Sequence, residues 1–120
     1  MRWFDGLAAG EGLLCRYVQL ALIRLLGNRA VMGEYAVSAS KSWRLIDELM
    51  EDERMEFVAE PALVDDVMPK LLRYSVPTNK FVGGAYFPGF SIAGQMRLAA
   101  IDAGFEQFRG VDLELLSTER

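Results

Sequence analysis

The sequence has no histidine and one cysteine, Cys15. Without them there can be no Cys/His zinc site, no His-dependent catalytic triad and no intrachain disulfide. Any metal has to be a hard cation held by carboxylates. Long apolar runs are also missing. Residues 13–26 form the longest, but Arg16, Gln19 and Arg24 interrupt it, and it is shorter than the roughly 20 residues that cross a bilayer. Residues 1–12 carry Asp5 and Glu11 and lack the sustained apolar core of a secretory signal. A soluble, cytoplasmic protein with no membrane partner is therefore expected. A glycine-rich phosphate loop is absent as well, because Gly83-Gly84 and Gly104 match neither the P-loop nor the dinucleotide fingerprint.

What is present fits one small α/β domain over residues 1–120. With 120 residues, two independent domains would each fall short of a proper core. The 52% hydrophobic, 11% aromatic and 25% charged content is that of an ordinary globular chain, which excludes fibrous classes and extensive disorder. The net charge is −4, and nine acids (Asp47, Glu48, Glu51, Asp52, Glu53, Glu56, Glu60, Asp65 and Asp66) cluster with only Arg54 opposing them. Such a stretch suits a solvated face and disfavours a phosphate-binding surface.

Along the chain, residues 13–15 are a short buried strand or the first turn of a helix; periodicity does not separate the two at this length. Residues 17–26 have a helical pattern that is apolar nearly all round, which predicts a mostly buried helix ending at Gly27-Asn28. Ser38 or Ser40 can cap the next helix, about 41–51, which puts Trp43, Ile46 and Met50 on one stripe. Residues 54–60 alternate as a strand. Pro61 suits the first turn of a helix in which Val64, Val67, Met68, Leu71 and Leu72 share a face, with a kink expected at Pro69. Residues 75–83 are expected to form a loop. Residues 85–93 have helical spacing, but Pro88-Gly89 in the middle oppose it, at costs of about 3 and 1 kcal/mol relative to alanine. Residues 96–101 look like a strand covered on both faces, and Val111, Leu113 and Leu115 alternate as an edge strand. Strands interleaved with helices predict an α/β sheet with parallel pairing.

In such sheets ligands gather at the carboxyl ends of strands, so Asp102 is the first candidate site residue. It can equally be the N-cap of the turn that begins at Ala103. Glu60 ends the other clear strand as a solvated cap, while Asp65 and Asp66 complement a helix dipole. Ser38, Ser40 and Ser42 have no histidine partner. Cys15 beside Arg16 is an activated thiol or a small buried hydrophobe. Arg73, Lys80 and Arg97 are too scattered to define an RNA groove.

Cys15-Arg16, Trp43, Gly84 to Phe90 and Arg97 to Phe105 lie in runs that resemble a subgroup of the VapC-type toxins of the PIN-domain family. Cys15-Arg16-Tyr17-Val18-Gln19 is similar to a CR-x-T-Q run, Leu22 to Asn28 to LRLLTN, and Ala30-Val31-Met32-Gly33 to AVMG. The similarity continues through Ser42-Trp43-Arg44-Leu45-Ile46 and the strand ending Glu60-Pro61. It closes with Gly84-Ala85-Tyr86-Phe87-Pro88-Gly89-Phe90, Arg97 to Phe105 and Phe108-Arg109-Gly110-Val111, of which the last two are the most specific. The resemblance implies a PIN-like (Rossmann-like) three-layer fold with a mostly parallel sheet in strand order 3-2-1-4-5. It also implies a homodimer, a cognate antitoxin, and Mg²⁺- or Mn²⁺-dependent endoribonuclease action on a structured RNA.

Carried over residue by residue, that implied machinery is sparse. The family's D-A-Y-L-A-A-F motif starts here with Gly84 in place of its metal-binding Asp. The late T-x-D motif reads Ala100-Ile101-Asp102, leaving Asp102 as the implied catalytic and metal-binding residue. A first strand of the form D-x-N-x-L is not found, and Met1-Arg2-Trp3-Phe4 matches the place where relatives read R-x-W-F within the following helix. The expectation is an N-terminally truncated and degenerate member that lacks the first central strand and is inactive or impaired as a nuclease. The competing expectations are a non-catalytic antitoxin-binding or dimerisation module and a gene remnant without a stable fold.

Overall fold

Ser38 shows how closely local chemistry sets an element boundary. Its Oγ accepts a hydrogen bond from the Lys41 N–H at 3.1 Å, and the helix that follows, α4, runs Ala39–Glu51. The computed structural model describes residues 2–75 and 77–116. Contacts divide the chain into two units, Met1–Ala59 and Glu60–Arg120. No described helix is long and apolar enough to cross a membrane.

In the first unit the order is α1 (Arg2–Asp5), β1 (Gly12–Leu14), α2 (Arg16–Leu26), α3 (Arg29–Met32), a 3₁₀ turn (Gly33–Tyr35), α4 and β2 (Met55–Phe57). Of the residues that sequence alone left between strand and helix, Leu13 and Leu14 fall in strand β1 and Cys15 is the N-cap of α2; β1 pairs with β2 in parallel, Gly12 opposite Met55 and Leu14 opposite Phe57. Parallel neighbours need a long crossover, and here helices α2 to α4 provide it. Ile46 and Ser42 are the buried positions of α4, while Trp43 stays 37% exposed. Helix α2 departs from expectation: only Gln19 is buried, and Tyr17, Leu20 and Leu25 are exposed. An apolar pattern all round a helix predicts burial only where other elements cover every face.

The turn into β2 is held by Asp52 and Arg54. Asp52 Oδ1 accepts from the Arg54 N–H (3.0 Å) and Nε–H (2.9 Å), and Oδ2 accepts from an Arg54 terminal nitrogen at 2.7 Å. The guanidinium lies 3.9 Å from the centroid of the Phe4 ring, a cation–π contact that ties α1 to this turn. Hydrogen bonds from Arg54 hold the Asp52 carboxyl well below its ordinary value, at about 2.

The second unit contains α5 (Val64–Ser75), a 3₁₀ segment (Asn79–Ala85), α6 (Tyr86–Ala93), β3 (Leu98–Ala100), a 3₁₀ turn (Ala103–Gln107) and β4 (Leu113–Leu115). Strands β3 and β4 are again parallel, Leu98 opposite Leu113 and Ala100 opposite Leu115. Half-exposure rather than full cover marks β3. Val64 and Leu71 are buried on the expected stripe of α5, and Pro69 is accommodated within it. The core gathers Leu71, Ala85 and Phe108, with Met68, Phe81, Ile92, Phe105 and Val111 against them.

Helix α6 is continuous through Pro88-Gly89, contrary to expectation. Pro88 is the third residue of the helix, where the backbone N–H has no intrahelical partner to lose. Gly89 permits close approach of α5, because a Cβ there would overlap the Met68 Sδ and lie 3.3 Å from its Cγ. Where a loop was expected after Ser75, Phe81 enters a 3₁₀ segment with its N–H on the Thr78 carbonyl at 2.8 Å.

Candidate functional site around Asp102

Asp102 follows β3 by two residues, at the carboxyl end where the sheet rule places ligands. Its backbone is extended, and its Oδ1 accepts from the Gly104 N–H at 2.7 Å. That bond caps the 3₁₀ turn Ala103–Gln107, so the capping role open from the sequence is made in the structure. The carboxylate is also exposed.

Other sequence candidates lie elsewhere. Glu60 accepts from the Tyr86 hydroxyl at 2.7 Å. Asp65 and Asp66 occupy the first turn of α5. Arg97 pairs with Asp112 at 3.3 Å and Glu114 at 3.7 Å across β3 and β4, both pairs exposed. Cys15 is buried at the N-terminus of α2 and makes no side-chain cap. Arg16 lies over the rings of Trp43 (5.5 Å) and Phe57 (5.0 Å) and donates to Gln19 Oε1 at 2.7 Å. Ser42 is fully buried, with no hydrogen-bond partner for its Oγ among the described residues.

Gly84 belongs to the 3₁₀ segment Asn79–Ala85, and its nearest foreign atoms are those of the Phe81 ring. The same ring packs edge-on against Phe105, centroids 5.1 Å apart, and tilts against Phe108 at 6.1 Å. Sequence reasoning missed Phe81, since a single aromatic in a polar stretch carries no periodic signal.

Mg²⁺ gives up its waters reluctantly and needs converging charge to hold it at a protein site. Asp102 offers one exposed carboxylate with one oxygen already accepting from Gly104. Among the described residues no three or more Asp, Glu, Cys or His side chains come together in a way that could hold a metal ion. The residues present do not fit the ion that the resemblance implies.

These features define an α/β protein with short parallel strands and an acid at a strand's carboxyl end. No protein-family model matches the chain. It is similar to Ribonuclease VapC41 from two strains of Mycobacterium tuberculosis. In each comparison it is 30% identical over 120 residues, spanning 96% of this chain and 82% of the relative. The chain belongs to the VapC family.

Proposed function

We propose that this chain is a VapC-type member of a toxin–antitoxin system whose metal-dependent RNA cleavage is absent or severely impaired. The observation that carries this is the isolation of Asp102. It caps its own turn, Gly84 stands where the family motif has an acid, and no cluster of metal ligands surrounds either among the described residues. A divalent cation in such nucleases polarises the phosphate and activates water. One carboxylate engaged in a cap is poorly suited to hold it.

The fold proposal is a single, cytoplasmic PIN-like domain of three layers. Support comes from two separate parallel pairs, β1 with β2 and β3 with β4. Unpaired edges of this kind leave backbone donors and acceptors open.

Purified chain incubated with total RNA and Mg²⁺ or Mn²⁺ tests the proposal. No cleavage above a protein-free control is expected. Cleavage abolished by Asp102→Ala would overturn it.

A second function, binding of a cognate antitoxin without catalysis, is favoured by the apolar side chains on and after α2. Leu20, Val31 and Tyr35 are 55%, 59% and 73% exposed, apolar area that burial against a partner would remove from water. Capture of the antitoxin encoded beside this gene, at micromolar concentration, is the expected result. Failure to bind at that concentration removes this second function.

A further inference from the structure

Phe81, itself half-buried, lies between Gly84 and Gly104, with the exposed Asp102 beside Gly104. A Cβ added to Gly84 would lie 2.9 Å from Phe81 Cε1 and 3.0 Å from Cδ1. On the opposite edge of the same ring, a Cβ on Gly104 would lie 2.6 Å from Cε2 and 2.8 Å from Cζ, and 3.0 Å from Asp102 Oδ1. Contacts below 3.0 Å are essentially not made by real Cβ atoms, so either residue with a side chain requires the ring to move.

Retreat is restricted on several sides. Phe105 meets the ring edge-on and Phe108, 3% exposed, packs against it. The backbone of Phe81 is tied by its N–H to Thr78, whose own N–H donates to Gln107 Oε1 at 2.8 Å. Close-packed interiors transmit such displacements rather than absorb them.

We infer that Phe81 is an aromatic plug filling the space between Gly84 and Gly104 beside Asp102, so that a side chain at position 84 is accepted only if the ring is displaced. This rests on the correspondence of Gly84 with the family's acid position used in the proposed function. It deepens that proposal by making the ring and the glycine one coupled feature: an acid at 84 does not by itself rebuild a cation site next to Asp102. Only with the ring removed do two carboxylates, at 84 and 102, become available together to a hard divalent cation.

Two measurements test the plug. In thermal melts, Gly84→Ala lowers Tm by about 5 °C or more when Phe81 is present, as overpacking of a dense core does. In a Phe81→Leu background, which keeps an apolar core residue but removes the ring, the same change moves Tm far less. Additive Tm changes overturn the plug. Mn²⁺ titrations followed by electron paramagnetic resonance compare Gly84→Asp with Phe81→Leu/Gly84→Asp. At least tenfold tighter binding by the double variant is expected; equal affinity, including no detectable binding by either, overturns the plug. Both readouts are independent of RNA cleavage. Nuclease activity of the unaltered chain would count against the proposed function and leave the coupling between positions 81 and 84 untouched.

Discussion

Leu71→Ala tests whether the second unit has the core that its hydrophobic stripe implies. Leu71 is 4% exposed and packs in the cluster with Ala85 and Phe108. Truncation removes three carbons, worth about 2.4 kcal/mol at about 0.8 kcal/mol for each buried group. A retained cavity adds roughly 24 cal/mol per Å³. That addition is limited here, because Leu71 also lines an open groove of about 400 Å³ with Val67, Tyr74 and Ile92, into which neighbours and water can move. The net expectation is a loss of about 3 kcal/mol, a large part of the 5–15 kcal/mol typical of a domain. The next residue on α5, Leu72, is 36% exposed and serves as the control; its truncation costs about 1 kcal/mol or less. Urea denaturation followed by far-UV circular dichroism measures both. Equal losses for the two variants, or a loss below about 1 kcal/mol for Leu71→Ala, would refute the assignment of the core.

Further predictions come from individual contacts. Ser38→Ala removes the cap of α4 and costs about 1 kcal/mol, measurable by chemical denaturation, whereas Ser38→Asp retains the cap and most of the stability. Asp52 has a folded-state pKa lowered from 3.8 to about 2 by Arg54. Its pairing therefore contributes fully above pH 4 and is lost as the pH falls through about 2. Stability followed by fluorescence between pH 5 and 2 should fall less steeply in Asp52→Asn than in the unaltered chain; identical slopes would contradict the pairing. Asp102→Ala removes the Gly104 hydrogen bond and costs about 1 kcal/mol, while Asp102→Asn, which keeps the acceptor, restores most of the loss in a thermal melt.

Much of this organisation was legible because short-range chemistry decided it. Ser38 was one of two capping candidates, and the spacing of Val64 to Leu71 marked the buried side of α5, although Leu72, expected on the same face, is exposed because it falls at the edge of that stripe. The alternating residues around Met55–Phe57 and Leu113–Leu115 are strands, and the interleaving of helices pointed to their parallel pairing. Failures arose where distant packing decides. Pro88-Gly89 looked disruptive until the helix start at Tyr86 put Pro88 in the first turn and α5 placed Met68 over Gly89. The pattern of α2 promised burial, but no periodicity states whether a second layer covers Tyr17, Leu20 and Leu25.

The site divides in the same manner. Asp102 was found by its place after a strand, where a site role and a capping role stood as alternatives, and the cap is the one made. Its hydrogen bond to Gly104 was then a matter of local geometry. The ring of Phe81 between two glycines was not legible, since Gly84 meets it only because residues 79–85 wind as a 3₁₀ segment, and Gly104 reaches it through tertiary structure. Similarly, Glu60 gave no sequence sign of its bond to Tyr86, 26 residues away.

Direct measurement of Mn²⁺ binding to the unaltered chain addresses the central claim, that Asp102 does not belong to an assembled metal site. Titration followed by electron paramagnetic resonance at neutral pH should show no site tighter than about millimolar, and no difference between the unaltered chain and Asp102→Ala, since a lone exposed carboxylate competes poorly with the ion's own waters. A micromolar site that disappears in Asp102→Ala would contradict that claim.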